Sequence, residues 1–230
     1  MNMTLDEYKA RAKADLDNAF EKGKSQGGGD ITQNPLYYAT GMQNTWEGAT
    51  FPEGFDCVVE FKNAPTNMNS MFYKATGVKT ITLICNAEGI ANFNQVIRDA
   101  SVEVLDLSKF KPSPSTINYI LYGNKVITTI VGELDMSNCT SATYAFNVSP
   151  LKDIRFKEGT VSISVQFNNC KSLSAESYDS IMKGLSSAVS GQTLTLPAYA
   201  TVKATYDAVY GEGAWDAMVG EMSNWTIAYN

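Results

Sequence analysis

The sequence predicts an α/β repeat fold, a short solenoid built on a parallel sheet, with an N-terminal helix before it and a helical cap after it. Its strand landmarks recur 24, 25 and 24 residues apart, at Val78, Val102, Ile127 and Leu151. A second apolar series falls six residues before the next landmark, at Phe72, Val96, Leu121, Ala145 and Phe167. A unit with one short strand cannot bury its own apolar face, so consecutive units must stack and pair their strands in parallel.

The N-terminal helix is predicted over residues 1–24, as an anchoring or oligomerising element. Thr4 and Glu7 form a capping box, and Gly23 stands where a helix usually ends. A helix of this length is marginal by itself, so its apolar stripe needs a partner: its own domain, another copy or a larger assembly. The stripe consists of Leu5, Tyr8, Ala12, Leu16 and Phe20.

The middle of the chain divides into a hinge, a cap and the repeats. Residues 25–35 are glycine-rich and predict a flexible hinge, which makes docking of the helix on its own domain optional. Residues 36–56 are predicted to cap the N-terminal end, and residues 57–173 to form the repeats, with an irregular first unit at "CVVEF". The first, fourth and sixth places of each strand are expected to point into the core. The second series belongs to a short helix or turn on the opposite wall.

The C-terminal cap is predicted over residues 174–230, because the ends of a solenoid expose apolar faces. Two apolar stripes begin at Tyr178 and Trp215 and have the i, i+3, i+4, i+7 spacing of a helix. "QTLTLP" lies between them and "NWTIAY" after them, and both have the pattern of strands. In the second strand, Trp225, Ile227 and Tyr229 are expected to point inward.

The repeat unit L-x-x-[IL]-x-[LF] resembles the leucine-rich repeat, specifically the irregular BspA-like type found in bacterial surface proteins and in phage or prophage structural proteins. "ITTIVGELDMSNCTSATYAF" is the segment most similar to that family, and the similarity spans roughly residues 36–230. The asparagine expected three places after the last strand landmark is present as Asn86, but Phe110 and Gly159 occupy the matching places. A continuous asparagine ladder is therefore not expected along this turn.

The resemblance implies a non-enzymatic binding or structural module. As a phage or prophage virion component, it would be made in the bacterial cytoplasm and would serve host attachment or particle decoration. The alternative is a bacterial surface adhesin or effector, exported by a non-classical route to the cell surface. The implied partners are other virion or assembly proteins, bound through the N-terminal helix, another copy of the chain, and a host-surface glycan or protein.

Composition excludes several partners and functions. The net charge of −6 and the scattering of the 18 Lys and Arg residues argue against a nucleic-acid partner, because phosphate neutralisation needs clustered cations. The start of the chain lacks the apolar core of a signal peptide, and no apolar run is long enough to cross a bilayer. We therefore expect neither export by an ordinary signal nor membrane insertion.

The residue types also limit the chemistry of any site. The chain has no histidine, which removes Ser-His, Cys-His and His-metal arrangements. Asp106 and Asp153 could face the same surface of the sheet, but they lie two strands apart and nothing marks a pocket. We expect no catalytic residues, metal or cofactor. Four cysteines form no C-x-x-C pair and are predicted to be buried thiols: Cys57, Cys85, Cys139 and Cys170.

Ligand binding is predicted on the outer face of the sheet, because solenoids commonly bind through an extended face. Outward side chains of stacked parallel strands form rows, and their mixture of small polar and charged groups suits a glycan or a protein surface. A plainly solvated sheet is the alternative. The competing surface is the opposite wall, where Tyr119, Tyr122 and Tyr144 could offer aromatic platforms. The two predicted rows are Thr80, Val104, Thr129, Asp153 and Thr82, Asp106, Val131, Arg155.

Overall fold

The computed structural model describes residues 41–148 and 150–230. The predicted N-terminal helix with its apolar stripe, the hinge and the first residues of the N-terminal cap lie outside the described residues, and the division into segments stays a prediction. The described strands are β1 (Thr50–Phe61), β2 (Thr76–Cys85), β3 (Ile90–Asn92), β4 (Val104–Phe110), β5 (Ser113–Thr116), β6 (Thr129–Leu134), β7 (Asp153–Phe156), β8 (Val165–Gln166), β9 (Gln192–Leu196) and β10 (Trp225–Tyr229). The described helices are α1 (Ala175–Gly184), α2 (Tyr199–Tyr210) and α3 (Ala214–Glu221).

The main sheet is parallel and contains five strands in the order β1-β2-β4-β6-β7. Cys57 pairs with Ile81, which pairs with Leu105, so strands of consecutive units align at the repeat period. The irregular first unit is β1, which begins at Thr50 and shifts its register before Asp56. The prediction of a solenoid with a parallel sheet is confirmed for the described residues.

The inward pattern of the strands is also confirmed. Side chains at the first, fourth and sixth places are at most 6% exposed, because each lies between the sheet and the opposite wall. The exception is the sixth place of the unit that begins at Ile127, where Gly132 is half-buried and Leu134, which pairs with Phe156, is buried instead. The burial of these alternating residues gives the stack a continuous apolar core. They are Val78, Ile81, Leu83, Val102, Leu105, Leu107, Ile127, Ile130, Leu151, Ile154 and Phe156.

The opposite wall consists of turns stacked on one another. The sequence predicted either a short helix or a turn here, and the structure has turns. Their backbone N–H groups donate to carbonyls of the next unit, as from Phe72 N to Val96 O at 2.8 Å. These hydrogen bonds show that the predicted second apolar series does not form a single column of stacked residues. Val96 and Ala145 lie in the neighbouring column, which is buried as well. The aligned column is Trp46, Phe72, Ile97, Leu121 and Phe146.

The structure has an asparagine ladder that the sequence did not predict, at the corner where the turns of the opposite wall begin. Asn94 Oδ1 accepts from the backbone N of Asn118 at 2.8 Å, and Asn118 Oδ1 accepts from the N of Thr143 at 2.7 Å. Asn92 Oδ1 accepts from the N of Asn94 at 2.9 Å. These side chains satisfy backbone donors at the corner. The 24-residue spacing of Asn94 and Asn118 was the available signal.

Helix α1 closes the C-terminal edge of the main sheet. Ser177 Oγ accepts from the backbone N of Ile154 at 3.1 Å, and Ser180 Oγ accepts from the N of Phe156 at 2.9 Å. Two backbone donors of β7 are therefore bonded to hydroxyl groups of the helix and do not offer an open edge for another strand. Ser174 is the N-cap of α1, and its Oγ accepts from the N of Ser177 at 3.2 Å.

The remaining C-terminal elements build a second, smaller parallel sheet in the order β10-β9-β8. Both predicted strands and both predicted helices are present, whereas helix α2 was not predicted. Only Val202 and Tyr206 of α2 are buried, so its sequence carries a weak apolar stripe. Trp215 of α3 is fully buried, and its Nε1 donates to Tyr229 Oη at 2.9 Å.

Candidate binding surfaces

On the outer face of the sheet, the residues of the first predicted row are aligned with one another. The predicted alignment of the second row is wrong at its last residue. Thr82, Asp106 and Val131 pair across strands as predicted. Arg155 instead pairs with Glu133, because the register shifts between β6 and β7. The cause lies at Gly132, whose φ of +92° belongs to the left-handed region. The first row is Thr80, Val104, Thr129 and Asp153.

The charged side chains of the two predicted rows are bonded within the chain. Asp106 Oδ1 accepts from the backbone N of Ser108 at 2.9 Å, and Asp153 Oδ1 accepts from Ser174 Oγ at 3.2 Å. The Arg155 guanidinium donates to a backbone carbonyl of α1 at 2.5 Å. The remaining side chains of the two rows are threonine and valine. This face therefore resembles a solvated sheet, and its role in ligand binding stays a prediction.

The opposite wall brings the three predicted tyrosines together. The ring centroids of Tyr119 and Tyr122 lie 5.6 Å apart, those of Tyr119 and Tyr144 also 5.6 Å, and those of Tyr122 and Tyr144 6.2 Å. Tyr122 is 37% exposed and Tyr144 45%, so each ring packs on its neighbours and still presents surface to solvent. Such clusters of large aromatic rings are typical of binding surfaces rather than of solvated turns.

Arg98 lies within this cluster, and the sequence analysis missed it. Its guanidinium carbon is 5.3 Å from the ring centre of Tyr119, 5.4 Å from that of Tyr122 and 5.5 Å from that of Tyr73. These distances allow cation–π attraction. Tyr73, Arg98 and Tyr122 hold equivalent places in consecutive units, at the same period as the strand landmarks, which was the signal available. We call Tyr73, Arg98, Tyr119, Tyr122 and Tyr144 the tyrosine patch.

The hydrogen bonding of Arg98 leaves much of its guanidinium unused. Nη1 donates to Gln95 Oε1 at 2.9 Å. Nε lies 3.4 Å from Asp99 Oδ2, yet it is buried without a hydrogen-bond partner, so this contact is electrostatic only. A guanidinium has five N–H donors. Because Nε is buried beside Asp99 and one Nη1 donor is bonded to Gln95, the donors that Arg98 retains are those of its two Nη groups.

Backbone conformation at two of these tyrosines is unfavourable for their residue type. Tyr119 has φ of 55° and Tyr144 has φ of 49°, in the left-handed region that aromatic residues seldom occupy. The equivalent place has the same conformation in the preceding units, at Asn44, Ser70 and Gln95, so it belongs to the repeated turn. Asparagine tolerates this conformation more easily than tyrosine, so backbone conformation does not favour tyrosine at these two places.

A small depression of about 240 Å³ lies at the carboxyl ends of β4 and β6. Its floor is apolar and its rim is charged, but the lysines are paired: Lys157 Nζ lies 2.6 Å from Asp135 Oδ2, and Lys111 Nζ lies 3.9 Å from Glu88 Oε1. Partial burial opposes ionisation of Asp135, yet hydrogen bonds from Lys157 and Ser137 prevail and lower its pKa. Ligand pockets usually have roughly 300–1,000 Å³, so this depression is the weaker candidate.

The cysteines behave as predicted. All four are free and buried, and burial raises the pKa of Cys57 and Cys170 to about 12, so both thiols are protonated and poor nucleophiles at neutral pH. Within the described ranges, no group of three or more Cys, Asp and Glu side chains is arranged to hold a metal ion. None of the described helices is long and apolar enough to cross a membrane.

Comparison of the chain with protein-family models, with characterised proteins and with solved structures finds no match. The tyrosine patch is therefore interpreted from its own geometry and chemistry.

Proposed function

We propose that the protein is a non-enzymatic binding module that contacts its ligand through the tyrosine patch. The observation that carries this proposal is the position of Arg98 between the rings of Tyr73, Tyr119 and Tyr122 on an exposed wall. Tyrosine and arginine dominate the energetics of binding surfaces, because they offer large contact area together with hydrogen-bonding groups. Stacked units fix the backbone beneath these side chains, so little order would have to be gained on binding.

The patch is a better candidate than the outer sheet face. The two predicted rows of the sheet face consist of threonine, valine and three charged side chains that bond to their own chain, whereas the patch presents large, half-exposed aromatic rings. Two of its tyrosines, Tyr119 and Tyr144, also occupy left-handed positions that asparagine or glycine would fill at lower cost. We therefore place the ligand on the wall opposite the sheet.

Binding is expected to depend on Tyr122 and not on the charges of the sheet. We expect the intact chain, labelled and mixed with bacterial cell-envelope fractions, to bind equally well after the joint change Asp106→Lys and Arg155→Glu. Tyr122→Ala should weaken binding about tenfold or more, since a hot-spot aromatic contributes roughly 2 kcal/mol or more. Loss of binding in the double reversal, with retention in Tyr122→Ala, would return the site to the sheet.

A second variant separates stability from binding. Tyr144→Asn places at this left-handed position a residue that tolerates it, so the thermal unfolding temperature should stay equal or rise slightly. Binding to envelope fractions should nevertheless fall, because one exposed ring is lost. A variant that binds as well as the parent chain would remove Tyr144 from the site.

The biological setting proposed is a phage or prophage virion, in which the module decorates the particle or attaches it to a host. The support is the BspA-like leucine-rich-repeat pattern of the sequence together with the parallel-sheet solenoid that carries it. Capsid or tail genes beside the gene for this chain, and the chain itself in purified particles, would favour this setting. Genes for envelope proteins or for an export system beside it would favour the surface adhesin or effector.

The N-terminal helix is proposed to join the module to its assembly, through the stripe from Leu5 to Phe20. Sedimentation should give a larger mass for the full chain, alone or with particle proteins, than for a chain that begins at Asp30. The reason is that an isolated amphipathic helix needs a surface on which to bury its apolar face. Equal monomer masses and equal incorporation into particles would exclude this role.

A further inference from the structure

We infer that the tyrosine patch recognises an acidic saccharide, with its carboxylate bound by Arg98 and its sugar rings packed on the tyrosines. This inference rests on the proposed function and specifies the ligand of the same site. It follows from three features of the patch: its size, its charge and the polar groups at its margin.

The size of the patch fits a ligand of a few rings. Five side chains form it, whereas each partner in a standard protein interface contributes roughly 20–30 residues. The centroids of its three clustered rings lie within 6.2 Å of one another, so the aromatic surface is compact. An apolar ring face of similar dimensions can pack on Tyr122 and Tyr144, the two rings that are most exposed.

The charge of the patch selects against cations and in favour of a carboxylate. Aromatic clusters attract cations, but here Arg98 already occupies that position, and Lys74 Nζ lies 4.9 Å from the ring centre of Tyr73. A cationic ligand would therefore be repelled. The free donors of Arg98 can instead form paired hydrogen bonds with the two oxygens of a carboxylate.

The surroundings limit how much negative charge the ligand can carry. Asp99 lies beside Arg98, with its Oδ2 at 3.4 Å from Nε, and the whole chain carries a net charge of −6. A densely charged polyanion would be repelled by this field, whereas a single carboxylate bound by the two Nη groups would lie on the side of the guanidinium away from Nε and Asp99. We therefore assign a saccharide with isolated carboxylates rather than a polyphosphate or a heavily sulfated chain.

Polar side chains at the margin suit sugar hydroxyls. Gln95 occupies the place equivalent to Tyr119 and Tyr144 in the preceding unit, and Asn147 continues the column of Arg98 and Tyr122. Both side chains are half-buried, and their amide oxygens already accept hydrogen bonds, from Arg98 and Asn169, so their NH2 groups are the donors left for a sugar hydroxyl. A ring that packs on the tyrosines would thus have hydrogen-bonding groups at its edge.

The test uses the intact chain on an array of paired oligosaccharides that differ only in acidity. Suitable pairs are sialylated galactosides and the same glycans with the sialic acid carboxyl group converted to an amide, and oligomers of galacturonic acid and their methyl esters. We expect binding to be confined to the acidic members, with an affinity for the best acidic glycan about 10–100 times that for its neutral partner, as a charge-assisted hydrogen bond requires.

Variants of Arg98 then assign the carboxylate. Arg98→Gln should reduce the affinity for the acidic glycan to that for the neutral one, and Arg98→Lys should restore only part of it, because an ammonium cannot form the paired bonds. Lys152→Gln removes an exposed cation that lies just before β7, outside the tyrosine patch, and should change nothing. Thermal unfolding of each variant shows that its fold is retained.

Three outcomes would overturn the inference. Neutral glycans bound as tightly as acidic ones would show that Arg98 does not select the ligand. An acidic glycan whose binding survives Arg98→Gln would show that its carboxylate lies elsewhere. If no glycan binds while envelope fractions still do so through Tyr122, the ligand is a protein surface, which rejects this inference and leaves the proposed function standing.

Discussion

Replacing Leu105 with aspartate is expected to cost on the order of 4 kcal/mol in the free energy of unfolding, a large part of the stability of most domains. Leu105 is fully buried at the centre of the sheet, and its neighbours in the strand pairing are Ile81 and Ile130, which are apolar as well. An aspartate there would be a buried charge without a partner, the costliest kind of substitution in a core. Urea unfolding followed by circular dichroism measures the loss.

The matched control is Thr82→Asp, which introduces the same side chain on the outer face of the neighbouring strand. Thr82 is half-exposed, so its carboxylate would remain hydrated, and a change within about 0.5 kcal/mol is expected. Ile130→Asp should behave like Leu105→Asp, because Ile130 is only 2% exposed. A comparable loss at Thr82 and Leu105 would contradict the assignment of inward and outward faces.

Gly77→Ala is expected to cost roughly 3 kcal/mol, through the backbone rather than through the core. Gly77 has φ of +82°, and a Cβ added to it would lie 2.1 Å from Phe51 O and 2.9 Å from Pro52 O. The register of β1 and β2 shifts at this point, so the extra residues of β1 pass directly over the glycine. Only a residue without a side chain admits so close an approach.

Gly54→Ala provides the control for this prediction. Gly54 has a similar φ of +75°, but nothing lies within 4 Å of its added Cβ. Alanine there should cost only the strain of the left-handed conformation, about 1–2 kcal/mol. Equal losses for the two variants in urea unfolding would mean that the approach of β1 to Gly77 contributes nothing beyond conformation.

The period of the sequence was sufficient to predict the stack. Strand landmarks that recur at 24 and 25 residues require each unit to lie on the next, and alternation within each strand specifies the buried side chains. Both predictions follow from local periodicity, which can be recognised in a single sequence without knowledge of the contacts. The helical stripe that begins at Tyr178 was predictable for the same reason, whereas α2 has only two buried residues to mark it.

The candidate site was predictable only in part. The tyrosines near Tyr119 stand out in sequence, but Tyr73 and Arg98 belong to earlier units and appear isolated along the chain. The period that aligned the strands would also have aligned Tyr73, Arg98 and Tyr122. The repeat period is marked by apolar residues, whereas this column mixes two tyrosines with an arginine, so the sequence does not mark it as one surface.

Tertiary structure decided the features that depend on register between units. The register of β6 and β7 shifts at Gly132, which has a positive φ, and Arg155 therefore lies opposite Glu133. No local sequence pattern predicts that shift. The turns of the opposite wall likewise align Ile97, not Val96, with Phe72. Val96 and Ile97 are both buried, so an apolar pattern in the sequence cannot distinguish their two columns. Sequence periodicity determined which residues stack and which face inward, whereas the hydrogen bonds between irregular turns determined the side chains that meet on the surface.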